Sequence, residues 1–330
     1  MKPVLVTGAD GFIGGHLVQI LIDRGYSVRA LVQPDSHSTI LTGLPVETVL
    51  GDIRDEQAVT EAVSGCDLIF HLAADYRLWV PDPRPLYDVN VKGTVTVLNA
   101  CVQNDVKRVV FTSSVAVLRL PDDGRPVNED TPTTIEDMPV HYSRSKFLAE
   151  QEAMKFVDSG LDVVAVLPTF PVGPGDWRPT PTGRVILDFL RGRIPVFVDT
   201  GVNVIHVHDC ALGHLLAAEK GRSGERYILG CQDLTMSDLL ATLATIAGKR
   251  PPRVKIPHTA AYVAAAFGEI GGRITGREPL ACFAAVTMSR KKKFFSPEKA
   301  VRELGLPQRP AQIALADAVD WYQRNGMAHG

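Results

Sequence analysis

Two groups of complementary acidity stand four residues apart in HYSRSK, residues 141 to 146: the phenol of Tyr142 and the ammonium of Lys146. On a helix, positions i and i+4 share a face, so the cation can lie beside the phenolic oxygen. A free phenol titrates near a pKa of about 10, too high for a base at neutral pH, and nearby positive charge favours the phenolate. Such a pair can move a proton to or from an alcohol or carbonyl oxygen. The same spacing also occurs on ordinary helix surfaces, so its meaning depends on what the rest of the chain brings to it.

The second chemical signal is a set of glycines. TGADGFIGGH places Gly8, Gly11 and Gly14 directly after the first apolar run and at the mouth of the first helical pattern. Without side chains the backbone can turn tightly and bring its N–H groups to a pyrophosphate, whose charge the helix N-terminus favours. Strand, turn, glycines and helix in this order read as a dinucleotide cradle, with Asp10, Phe12 and Ile13 in the same turn. A carboxylate ending the second strand would hold both ribose hydroxyls of NAD, but that place is taken by Val32 and Gln33. Gln33, Ser36, His37 and Ser38 offer neutral or weak donors, with Asp35 nearby, and the balance favours NADP(H) over NAD. In GDIRD, Asp52 and Ile53 suit an adenine amino group and an adenine ring; Asp52 equally suits a plain strand-end turn.

These residues need a frame. VLVT (4 to 7), VRALV (28 to 32), VETVL (46 to 50), DLIFHLA (67 to 73), RVVFTSS (108 to 114) and DVVAVLP (162 to 168) read as strands buried on both faces, separated by helical patterns such as 12 to 24. That alternation predicts an α/β Rossmann-type, doubly wound parallel sheet. After Pro168, TFPVGPGDWRPTPTGR reads as loop, and a smaller, mainly helical C-terminal substrate lobe follows. The expected division gives residues 1–171 and 201–234 to the dinucleotide-binding domain, and 172–200 and 235–330 to the lobe. Residues 203 to 219 and 226 to 230 are expected to supply a helix and strands rejoining the sheet.

With 45% hydrophobic and 22% charged residues in 330, the chain can bury a large core. A formal charge of −2 gives no global field toward nucleic acid, although residues 290 to 293 form one basic cluster. No secretory signal pattern opens the chain, and AAYVAAAFGEIGG is too short for a membrane span, so it reads as a core or interfacial helix. Five widely spaced cysteines without a CxxC pair read as reduced residues rather than disulfides or a metal site, which suits the cytoplasm.

TGADGFIGG, HLAA at 71 to 74, NVKGT at 90 to 94, FTSS at 111 to 114 and Tyr142 with Lys146 resemble the extended short-chain dehydrogenase/reductases of the NAD-dependent epimerase/dehydratase family, over essentially the whole chain. Within that superfamily ADYRLW at 74 to 79, HYSRSKFLAE at 141 to 150, PTPTGR at 179 to 184 and GERYILG look most like hopanoid-associated sugar epimerases. Dihydroflavonol 4-reductase-like proteins come next. The resemblance implies that Tyr142 is the acid/base, that Lys146 lowers its pKa and holds the nicotinamide ribose, and that Ser114 binds the reacting oxygen, with Ser113 structural. It also implies that Leu72, Ala73 and Ala74 line the ribose and pyrophosphate and that Pro168 and Thr169 meet the carboxamide. Asn90 would open the helix behind the serine, as a cofactor contact or as a cap. Helices at 86 to 103 and 141 to 158 would pair two copies into a homodimer.

Substrate contacts are expected from Asp75, Tyr76, Arg77 and Trp79, on a loop leaving the fourth strand, and from Thr182, with Arg184 and Arg191 behind it. These groups suit a sugar, a carboxylate or a flat polyphenol, and the expected substrate is a sugar, a sugar nucleotide or a ketone; a packed structural loop is the rival reading. The functional reading is hydride movement between a nicotinamide and a sugar-like hydroxyl or carbonyl carbon, as in an epimerase. An NADPH-dependent carbonyl reductase is the alternative, and a catalytically silent dinucleotide-binding protein is the alternative of another class.

Overall fold

The computed structural model describes residues 2–36, 40–276 and 278–328. Its strands are β1 (Val4–Thr7), β2 (Val28–Val32), β3 (Val46–Leu50), β4 (Leu68–His71), β5 (Arg108–Thr112), β6 (Val163–Pro168), β7 (Phe170–Val172), β8 (Val196–Phe197), β9 (Gly201–His206), β10 (Arg226–Leu229), β11 (Gln232–Thr235) and β12 (Val254–Lys255). The helices are α1 (Phe12–Asp23), α2 (Glu56–Val63), α3 (Arg84–Tyr87), α4 (Thr94–Gln103), α5 (His141–Asp158), α6 (Pro181–Leu190), α7 (Val207–Lys220), α8 (Met236–Ala247), α9 (His258–Thr275), α10 (Phe283–Met288), α11 (Glu298–Leu304) and α12 (Ala311–Arg324).

Seven strands form one parallel sheet in the order β10-β6-β5-β4-β1-β2-β3. The chain lays down β1 to β3 on one side and returns past β1 to lay down β4 onward, so the strand order reverses between β1 and β4. At such a switch point the crossover helices diverge and leave a crevice at the carboxyl ends of the strands. Alternation along the strands feeds two cores. Leu5, Ile69, Val109 and Phe111 pack with Val97, Leu98, Ala149 and Ala153 of α4 and α5. Val4, Val6, Phe70 and Val110 pack on the other face with Leu17 and Leu21 of α1 and with Cys210 and Leu215 of α7.

The expected strands match closely, with one exception in environment: β3 is an edge strand whose Leu50 is 62% exposed, so it is not buried on both faces. A second correction concerns residues 201–234. Of that stretch α7 and β10 pack on the main sheet, but β9 pairs with β7 on one side and β11 on the other in a separate three-stranded sheet. That sheet shares a third core with α6, α8 and α12, through Val202, Val204, Leu187, Leu243 and Leu315. The Pro- and Gly-rich segment after Pro168 is also more ordered than expected, since it contains β7 and the start of α6. There Thr180 caps the helix and Pro181 opens it. All five cysteines are free thiols, and among the described residues no helix is long and apolar enough to cross a membrane.

Candidate active site

A cleft of about 1490 Å³ opens over the carboxyl ends of β1, β4, β5 and β6 and runs between the main sheet and the lobe. Gly8, Asp10, Gly11, Phe12, Ile13 and Gly14 floor one end of it. Gly8 has φ +68°, and a Cβ there would come within 2.8 Å of the Ala73 nitrogen. At Gly14 a Cβ would sit 2.0 Å from the Gly8 carbonyl oxygen, so only glycine lets α1 start this close to the turn. Gly11 caps α1 without any side-chain hydrogen bond, which leaves the first-turn N–H groups facing the cleft end. This cradle fits a pyrophosphate.

Around it, Gln33, Ile53, Leu72, Ala73, Ala74, Pro168 and Thr169 line the cleft. His37 lies outside the described residues. Asp52 does not line the cleft: its carboxylate is held by Arg54, at 2.6 and 2.9 Å, which also keeps it below the usual carboxylate range. Arg54 is the lining residue instead, a cation at the adenosine end that the GDIRD reading passed over. Asp10 accepts a hydrogen bond from the Ser36 hydroxyl.

Asn90 is also displaced from its expected role. It is buried inside a π-helical stretch, Asp88–Gly93, that joins α3 to α4, so it does not open a helix. Its amide is fully used: Oδ1 accepts from the Asp75 N–H at 2.7 Å, while Nδ2 donates to the Asp75 carbonyl at 2.8 Å and to Ser145 Oγ at 2.9 Å. Asn90 therefore clamps the loop after β4 onto α5 and makes no contact with the cleft.

The catalytic candidates converge at the middle of the cleft, where Ser114, Tyr142 and Lys146 all line it. Ser114 leaves β5 in extended conformation and accepts a hydrogen bond from the Ala116 N–H at 3.1 Å. Tyr142 and Lys146 share a face of α5. Burial pushes the Tyr142 phenol above its ordinary pKa, and its hydrogen bond with Ser114 opposes that rise. Lys146 makes its own hydrogen bond elsewhere than at the phenol. Its ammonium is directed at the Thr112 carbonyl oxygen, 2.8 Å away, and lies over the Phe111 ring. Only 3% exposed, Lys146 is driven down to about 8 by desolvation, with the Glu150 carboxylate pulling the other way. Ser113 donates to Glu150, which pairs with Arg226 at 3.0 Å, so Ser113 is structural.

Two histidines brace the floor. His71 bridges Thr7 and Thr94 at 2.8 and 3.0 Å, and burial holds it at about 3, so it is a neutral packing residue. His214 reaches Thr112 Oγ1 at 3.1 Å and is likewise kept neutral, at about 4.

On the substrate side Asp75, Tyr76 and Arg77 line the cleft, but Trp79 does not; Leu78 takes its place. Arg77 is engaged by Asp75 through its Nε at 3.0 Å. Thr182 lines the cleft while its hydroxyl donates to the Pro171 carbonyl at 2.7 Å. Arg184 pairs with Glu278 and Arg191 bonds the Met327 carbonyl, both away from the cleft. Leu118, Leu120, Phe170, Val198, Met236 and Met288 give the lining its apolar surface, beside polar groups such as Arg119, Asp122, Arg178 and Lys291.

Two polar residues there escaped the sequence. Asp176 is buried, takes hydrogen bonds from Thr180 and Tyr322, and is pushed up to about 6 by desolvation. Lys293 lines the cleft with no hydrogen-bond partner for its ammonium among the described residues, and burial drives it down to about 8. Its neighbour Lys291 is occupied by Leu120 and Asp122, so the basic cluster divides, and nothing in the sequence separates its members.

Residues 4–230 match the family described as NAD dependent epimerase/dehydratase. A Synechocystis sp. protein provisionally named dihydroflavonol 4-reductase is 40% identical over 97% of this chain and 94% of its own length. Sterol demethylase protein B of Methylococcus capsulatus is 34% identical over 98% of this chain and 99% of its own. The crystal structure of gox2253 superposes with a TM-score of 0.88 at 41% identity, covering 99% of both chains. With the cradle, the switch-point cleft and the Ser114, Tyr142 and Lys146 constellation in place, the chain belongs to the NAD-dependent epimerase/dehydratase family, enzymes of the short-chain dehydrogenase/reductase superfamily.

Proposed function

We propose that the protein is an NADP(H)-preferring reductase that interconverts a ketone and a secondary alcohol on a largely apolar substrate. The observation that carries this reading is the wall of Leu118, Leu120, Phe170, Val198, Met236 and Met288. A sugar presents a hydroxyl on most carbons and each would lose its water there without a partner, whereas a polycyclic or aromatic ketone loses nothing. The relatives named for dihydroflavonol and sterol chemistry point the same way.

When bound, the nicotinamide supplies or accepts the hydride. The cradle glycines and the start of α1 would hold its pyrophosphate, Ala73 and Ala74 its ribose side, and Pro168 and Thr169 its carboxamide end. Tyr142 begins as a neutral acid, because burial raises its pKa, and so it is set to give its proton to a carbonyl oxygen as that oxygen gains charge. Ser114 donates a second hydrogen bond to the same oxygen. Lys146, an ammonium below pH about 8, favours the phenolate left behind. Arg54 lines the adenosine end, and a 2′-phosphate there would share its guanidinium with Asp52.

The sugar epimerase reading stands second, and Asp10 favours it: a carboxylate at the ribose end suits NAD, which an epimerase retains through both half-reactions. The test is to identify the nucleotide that co-purifies and to assay NADPH consumption with apolar ketones and with nucleotide sugars. Consumption driven by ketones supports the reductase. Tightly retained NAD with turnover of a nucleotide sugar overturns it in favour of the epimerase, and bound nucleotide with no turnover in either set would mark a silent binder. The free thiols suit a reducing cytosol, and α4 and α5, with Val102 and Leu148 exposed, offer the face for a homodimer; a monomer mass by light scattering refutes the latter.

A further inference from the structure

Among the described residues, seven of the fifteen large hydrophobic side chains that are exposed fall between residues 254 and 283, in and around α9. Four of them, Val263, Phe267, Ile270 and Ile274, are spaced by four, three and four residues, and are 58, 73, 57 and 80% exposed. At about 100° per residue these positions form a single stripe. Ala261, Ala265 and Gly272, the buried residues of α9, fall on the opposite side of the helix. The stripe is therefore turned outward, away from the small core that α9 shares with α10. Leu280, 77% exposed, and Phe283, 43% exposed, follow it in the chain.

The charge around this stripe is as uneven as its hydrophobicity. Residues 249 to 283 contain six Lys or Arg and two Asp or Glu, a balance of +4 in a chain whose total is −2. Arg250, Arg253 and Arg273 are exposed, and none has an acidic partner among the described residues. Both acids of the stretch are engaged, Glu269 with the Phe283 N–H and Glu278 with Arg184.

We propose that α9 is a membrane-docking helix that lies in the interface of an anionic bilayer, with the stripe among the acyl chains and the arginines at the phosphates. A second copy of the chain fits less well. The stripe is about 16 Å long and about 10 Å wide, far below the roughly 800 Å² per partner of a stable dimer. Pairing two such faces would also set +4 against +4, whereas anionic lipid headgroups neutralise that charge. α9 stacks on α10 through Tyr262 and Phe283, and Ala285, Thr287 and Met288 of α10 line the cleft. Docking through α9 therefore sets α10 one helix layer back from the bilayer, on the side of α9 opposite the stripe. The docking itself does not rest on the reductase reading.

The test is co-sedimentation of the full chain with vesicles of phosphatidylcholine alone and of phosphatidylcholine mixed with phosphatidylglycerol, without substrate. Binding is expected to the mixed vesicles, to weaken with added salt, and to fall at least tenfold in a Phe267→Asp/Ile274→Asp variant whose thermal transition is unchanged. In a Phe267→Trp variant, which keeps the stripe apolar, indole emission is expected to shift to the blue when mixed vesicles are added. No pelleting together with an unmoved Trp spectrum overturns the proposal, as does a dimer that dissociates in the Asp double variant. Because no turnover is measured, failure here is separate from failure of the reductase assignment.

Discussion

Replacing Lys146 by Met tests whether the ammonium really sits in a dry part of the cleft. Met keeps an unbranched apolar stem of similar length and removes the charge. Lys146 titrates near 10.5 in the unfolded chain and near 8 in the fold, because burial disfavours its charged form. Below pH 8 both states carry the proton, so the folded protein bears the whole cost of desolvating the ammonium. Between about 8 and 10.5 the unfolded chain binds more protons than the fold, and unfolding free energy rises with pH. A displacement of about 2.5 pH units at 1.36 kcal/mol each amounts to about 3 kcal/mol. Wild type and Lys146→Met, unfolded by urea at pH 7 and again near pH 10.5, should therefore differ in a pH-dependent way, the wild type gaining about 3 kcal/mol on the variant across that range. A difference that stays constant with pH would refute the reasoning, since the ammonium would then be as well solvated in the fold as outside it.

Tyr142→Phe should lower turnover at least about 100-fold while leaving nucleotide affinity and the circular dichroism spectrum unchanged; unaltered turnover would remove the phenol from the mechanism. Gly14→Ala places a methyl 2.0 Å from the Gly8 oxygen, so the turn must open, and fluorescence titration should show nucleotide affinity reduced by about tenfold or more. Asn90→Ala leaves the N–H and carbonyl of Asp75 unpaired, and urea unfolding should register a loss of about 1–3 kcal/mol. A direct cofactor role for Asn90 would instead appear as weakened nucleotide binding at unchanged stability.

The nucleotide half of the site was legible because its signals are local. Gly8, Gly11 and Gly14 do their work within one turn, Tyr142 and Lys146 meet within one helical turn, and Ser114 is fixed by the end of its own strand. The misreadings share a cause. Asp52 looked free until Arg54, two residues on, closed on it. Asn90 looked like a cap or a cofactor contact until α5 delivered Ser145, 55 residues later. Trp79 and Leu78 alternate on one loop, and only the packing of that loop decides which of them faces inward.

Periodicity and glycine spacing by themselves determined the doubly wound parallel sheet and the cradle, since backbone geometry dictates these over a few residues, whereas the acid–base roles of Tyr142 and Lys146 came from the family resemblance. Tertiary structure alone decided what the cleft can hold. Its apolar lining comes from β7, α8, α10 and the segments that follow β5 and β8, Lys291 is held by Leu120 and Asp122 while Lys293 lies in the cleft, and Asp176 meets Tyr322 across 146 residues. Contacts of that range depend on how separate elements pack, and no pattern within one element records them.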